Sequence, residues 1–82
     1  QLFLTYCNIG DFGMEYISEC YFLKSLNTIF LKNNNISANG IKYLSKCYFL
    51  KNLTHLGLEN NNINDKGMEY LSKCEFFKQL NV

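Results

Sequence analysis

Few side chains in this 82-residue chain are reactive, and their spacing limits what they can do. His55 is the single histidine. To act as a general base it would need a nucleophile, or a carboxylate orienting its ring, within hydrogen-bond reach. The nearest candidates are Thr28, one 27-residue period before it, and Glu59, four residues after it. Neither spacing makes a matched pair, so His55 reads as a solvated or partner-contacting side chain. The four cysteines, Cys7, Cys20, Cys47 and Cys74, offer no C-x-x-C pair of the kind zinc requires. Gly13, Gly40 and Gly67 lack the accompanying residues of a phosphate-cradling loop, and are expected to allow close packing of adjacent units, with a special backbone angle as the alternative. No paired carboxylates, nucleophile–base pair or metal cluster emerges. The chain therefore reads as a non-enzyme, with no catalytic residue, no cofactor and no metal.

The elements that position these residues recur with a period of 27. Leu53-Thr54-His55-Leu56-Gly57-Leu58-Glu59-Asn60-Asn61-Asn62-Ile63 reads L-x-x-L-x-L-x-x-N-x-I, and Leu26 to Ile36 repeats the frame with Leu26, Ile29, Leu31, Asn34 and Ile36. A degraded copy opens the chain, with Leu2, Leu4, Cys7 and Ile9 in register. The second and third units, 26–52 and 53–79, are identical at 14 of their 27 positions, including Tyr-Leu-Ser-Lys-Cys at 43–47 and 70–74. The first unit covers about residues 1–25, and Leu80 begins a fourth. Period-two alternation makes each frame a short strand. The stripes Met14-Ile17-Cys20, Ile41-Leu44-Cys47 and Met68-Leu71-Cys74, the last continued by Phe77, then call for a helix in each unit. Ser37 and Asn64 stand where helix N-caps belong.

This pattern resembles the leucine-rich-repeat superfamily, and specifically its longer α/β class typified by ribonuclease-inhibitor-like proteins. The resemblance covers essentially the whole chain. It implies an α/β solenoid of about three repeats, a horseshoe with a parallel β-sheet on its concave side and helices on its convex side. Strands about 4.8 Å apart against helices about 8–10 Å apart would bend the stack toward the strands. It also implies that the Asn34 and Asn61 side chains satisfy buried backbone groups in the turn, with Cys7 in the same slot. At that helix spacing Cys20, Cys47 and Cys74 stand too far apart to bridge, since Cα separations above about 7 Å exclude a disulfide. They are expected to be buried, reduced thiols, which favours a cytoplasmic setting. The ladders Tyr16-Tyr43-Tyr70 and Phe22-Phe49-Phe76 are expected to pack between helices, and Glu15, Lys42 and Glu69 to set opposite charges side by side. The chain opens in mid-strand at Gln1 and stops as Leu80 starts a strand, so a segment of a longer solenoid is expected.

Eight lysines against seven acids give a net charge of +1, which leaves no basic footprint for nucleic acid. No apolar run approaches the ~18–20 residues needed to cross a bilayer. Function is therefore sought on the sheet face that points away from the core. There the columns read Gln1, Thr28, His55; Phe3, Phe30, Gly57; Thr5, Lys32, Glu59; and Tyr6, Asn33, Asn60. Exposed aromatics among polar neighbours mark interaction surfaces. Phe3, Tyr6, Thr28, Phe30, Lys32, Asn33, His55, Glu59 and Asn60 are accordingly the expected contacts to a protein or peptide partner, with Gly57 leaving a gap a partner side chain could fill. Two alternatives stand beside this scaffold reading. One is a structural subunit of a large assembly. The other is a Ran-type GTPase-activating domain, which this segment matches poorly because its concave face is not acidic.

Overall fold

The computed structural model describes residues 1–74. Each unit contributes a strand, a turn, a helix and a return: β1 (Leu2–Phe3), α1 (Gly10–Ile17), β2 (Thr28–Phe30), α2 (Ala38–Leu44), β3 (His55–Gly57) and α3 (Asn64–Ser72). Short 3-10 turns at Tyr21–Ser25 and Tyr48–Leu50 lead from the helices back to the next strand. The three strands form one parallel sheet in the order β1-β2-β3. Pairing follows the sequence period, with Leu2 opposite Ile29, Ile29 opposite Leu56, and Phe3 opposite Phe30. Leu80, Phe76 and Phe77 lie outside the described residues.

Alternation along each strand sends every second side chain into the space between sheet and helices. Met14, Ile29, Leu31, Ile36, Ile41, Leu44, Cys47, Leu50 and Leu53 are all fully buried there. The burial is deepest in the second unit because it has a neighbour on both sides. The equivalent Leu2, Leu4, Ile9 and Ile17 of the first unit are only half-buried. Met68, expected to face inward, is exposed, whereas its second-unit equivalent Ile41 is fully buried.

A polar spine runs through the turns. Asn34 Oδ1 accepts from the backbone N–H groups of Cys7 (2.9 Å) and Ile9 (3.2 Å), while its Nδ2 donates to the carbonyls of Leu4 (2.6 Å) and Lys32 (3.2 Å). Asn61 repeats this one unit on: its Oδ1 accepts from Asn34 and Ile36 at 2.9 Å each, and its Nδ2 donates to Leu31 at 2.8 Å. Each asparagine therefore satisfies backbone groups of the unit before it, which a buried turn requires. Cys7 occupies the same slot but lies exposed, its thiol reaching only the Thr5 carbonyl.

The asparagines beside this spine serve a different purpose. Asn33, Asn35 and Asn60 hold φ of 57°, 57° and 58°, the left-handed region that asparagine tolerates better than most residues. Tyr6 adopts φ 60° at the equivalent position of the first unit. Helix starts follow the expected caps. Ser37 Oγ accepts from the Asn39 N–H at 3.2 Å, and Asn64 Oδ1 accepts from Lys66 at 3.0 Å. Ser37 is itself held from the neighbouring unit, because its N–H and hydroxyl both donate to the Asp11 carboxylate. A Cβ on Gly40 would stand 2.5 Å from Asp11 Oδ1 and 2.6 Å from Ile36 Cγ2, so that glycine marks close packing of adjacent units.

Three helical expectations need correction. Cys47 alone of the period-spaced cysteines is buried, with Cys20 and Cys74 half-buried and Cys7 exposed. Tyr16 and Phe22 are exposed where Tyr43 is half-buried and Phe49 buried, because the first unit has no described neighbour on its outer side. Among the described residues the ion pairs run within one unit rather than across units: Glu69 bonds Lys66 at 3.0 Å and lies 3.9 Å from Lys73. Positions three or four apart on a helix are about 5–6 Å apart, nearer than the about 8–10 Å between helices. Both partners of the Lys66–Glu69 pair are shifted accordingly, the lysine upward and the carboxylate downward, first by their hydrogen bond and then by mutual charge.

Candidate protein-interaction surface

The sheet face turned away from the helices carries the expected residues, but not all of them are available. Phe3 and Tyr6 are exposed to 63% and 71%. The Phe3 and Phe30 rings stack with centroids 5.0 Å apart and planes at 28°, an offset arrangement worth about 0.5–1.5 kcal/mol beyond its area. Phe30 is half-buried because its ring leans across the third strand: a Cβ on Gly57 would lie 2.8 Å from Phe30 Cδ1. The gap at Gly57 is thus filled from within. Glu59 closes in from the other side, its Oε1 3.1 Å from the same point.

Thr28 does not serve as expected. It is only 7% exposed, a short side chain on the middle strand whose hydroxyl donates to Asn27 Oδ1 at 3.2 Å. His55, its lateral neighbour on β3, stands exposed. Its Nδ1 lies 2.9 Å from Thr54 Oγ1, and that hydroxyl donates to the Asn27 carbonyl at 3.1 Å. Among the described residues no carboxylate bonds the ring. Lys32 and Asn33 are half-buried along the rim, and Glu59 and Asn60 are exposed. Asn60 Nδ2 reaches Asn33 Oδ1 at 3.4 Å, linking the last column across two strands. Beside β3 a cleft of about 780 Å³ brings Phe30, His55, Gly57 and Glu59 together with Met68 and Asp65.

Of the cysteines, Cys47 is the most deeply buried. Burial, with the neighbouring Cys20 and Cys74 thiols adding to it, pushes Cys47 from the ordinary 9.0 up to about 12, so it stays protonated and non-nucleophilic near neutrality. Iodoacetamide at pH 8 should label Cys7 in the native protein and leave Cys47 unlabelled until unfolding, as peptide mass spectrometry would read. Because the folded-state value is raised, this thiol contributes no pH dependence below about 9. Its share of stability is lost as pH climbs from about 9 toward about 12, where only the unfolded chain gives up the proton. Among the described residues no group of three or more His, Cys, Asp or Glu is placed to hold a metal ion.

Parallel strands paired at one 27-residue period, an inward leucine frame and an asparagine spine together define a repeat unit that stacks on copies of itself. The family model for Leucine Rich repeat matches residues 1–18 and 49–72. The chain belongs to the leucine-rich-repeat family. Leucine-rich-repeat domains generally mediate protein–protein interaction and are generally non-enzymatic. Comparison with curated proteins and with solved structures gives no significant match. Among the described residues no helix is long and apolar enough to cross a membrane.

Proposed function

We propose that this leucine-rich-repeat chain is a non-catalytic scaffold that binds a protein or peptide partner on the outward face of its sheet. The observation that carries the reading is the Phe3–Phe30 stack, an exposed ring on a half-buried one, with Lys32, Asn33, His55, Glu59 and Asn60 as its polar neighbours on the sheet face. Aromatic anchors ringed by polar residues are the usual composition of a binding hot spot. A partner side chain seated on the stack would find Glu59 and His55 within the cleft beside β3.

On this reading the three units, about 1–25, 26–52 and 53–79, are a segment of a curved solenoid, with the sheet face concave and the helices convex. The ribonuclease-inhibitor-like class supports that shape through its repeat length, as does the disparity between strand and helix spacings. The unbridged thiols favour a reducing, cytoplasmic setting.

Phe30→Ala tests the reading. The variant should fold, with circular dichroism unchanged, and should bind the partner isolated with the parent protein at least about tenfold more weakly. Wild-type affinity in a folded Phe30→Ala protein would move the interface off the sheet.

A further inference from the structure

The helical side carries a second surface, separate from the sheet. A groove of about 370 Å³ lies between the start of α1 and the length of α2, lined by Asp11, Phe12, Asn39, Lys42, Tyr43 and Lys46. Phe12 is 82% exposed, more than any other large apolar side chain described. Lys42 and Lys46, four residues apart, are exposed and make no ion pair among the described residues. Lys46 Nζ instead rests 5.9 Å from the Tyr43 ring centroid, a weak substitute for an anion at an exposed site.

The third unit shows what this face looks like when neutralised. There Glu69 replaces Lys42 and gathers Lys66 and Lys73. The segment from Ala38 to Lys46, α2 and the two residues after it, holds no acid at all. Glu15 of α1 and Glu19 just beyond it, one period before the two lysines, neither line the groove nor, among the described residues, pair with them. Asp11 is the only carboxylate in the groove, and it is occupied by the N–H and hydroxyl of Ser37. The groove thus offers two cations that have no carboxylate partner among the described residues, beside an exposed ring and a half-buried tyrosine. Its charge complement is a carboxylate pair flanking one apolar anchor.

We propose that the α1–α2 groove docks a short acidic protein segment, an aromatic or aliphatic residue flanked by Asp or Glu, independently of the sheet face. The apolar residue sits against Phe12 and Tyr43, and the flanking carboxylates reach Lys42 and Lys46. An acidic peptide suits the site better than an anionic bilayer. Two lysines are a small patch for a charged membrane, which is held by larger basic clusters, and one exposed ring is a thin second anchor, whereas a groove confers direction on a side chain.

The test is an amide-resolved NMR titration of the full chain with a synthetic peptide carrying one phenylalanine between aspartates and glutamates. Shifts should concentrate at Phe12, Asn39, Lys42 and Lys46. Affinity should fall about tenfold or more in the double variant Lys42→Glu, Lys46→Glu and in Phe12→Ala, and weaken with salt. Phe30→Ala should bind the peptide as wild type does, which separates this site from the sheet face. The proposal is overturned if the α2 amides do not move, if the same peptide with its acids amidated binds equally, or if phosphatidylserine vesicles bind while the peptide does not.

Discussion

Asn34→Ala should cost about 3–5 kcal/mol, a large share of the about 4–12 kcal/mol expected for a domain of this size. The fully buried side chain makes four hydrogen bonds to backbone, to Cys7, Ile9, Leu4 and Lys32. Alanine leaves those groups inside without partners and without room for water to replace the amide. Asn35→Ala provides the contrast one residue on. Asn35 is exposed, and its φ of 57° asks only for a residue that tolerates the left-handed region. Glycine should therefore be accepted at 35 and alanine should cost about 1–2 kcal/mol, while neither is accepted at 34. Urea titration of the four variants checks this. Equal losses at the two positions would mean that the turn is held by backbone conformation alone.

Leu56→Ala should cost about 2–5 kcal/mol through lost burial and the cavity left behind. Leu56 is 2% exposed, on the inward face of β3 and opposite Ile29 of β2. Its neighbour His55 points the other way, so His55→Ala should change stability by no more than about 0.5 kcal/mol. A one-residue slip of the strand would reverse the two results. A loss below about 1 kcal/mol at Leu56 would show that the register is wrong.

The repeat made much of this architecture legible from residues alone. Leu26, Ile29, Leu31 and Asn34 recur at Leu53, Leu56, Leu58 and Asn61, and a spacing that regular fixes the pairing of β2 with β3 before any geometry is known. The cap at Ser37 was readable because a hydroxyl before an apolar stripe has few other uses, although its second bond, to Asp11, crosses units and leaves no local trace. The asparagines beside the spine carried a readable signal in their type. Asn33 and Asn60 look like polar contacts, yet left-handed backbone is sufficient reason for asparagine there.

What escaped was the packing of individual side chains on the sheet face. Alternation assigns a side to Thr28 and Phe30 but not a height. The short Thr28 is buried on the middle strand, and the long Phe30 lies down across the glycine next to it. Periodicity also overstates sameness. It sets Phe22 equal to Phe49 and Cys20 equal to Cys47, but burial depends on having a neighbour on each side. The groove on the helical side was hidden for a related reason. The alternating Glu15, Lys42 and Glu69 suggested cross-unit pairing, whereas Glu69 pairs with Lys66 and Lys73 of its own unit and Lys42 makes no ion pair among the described residues.

Site-specific photo-crosslinking addresses the sheet face most directly. A benzophenone amino acid placed at Phe3 in the full parent protein, expressed in its own cell, samples the space above the stacked rings. One dominant partner captured from that position, and lost when Phe30→Ala is added, is the predicted result. Capture undiminished by Phe30→Ala, or no capture at position 3 while a probe at Tyr16 on the helical side captures the same protein, would contradict the sheet-face account.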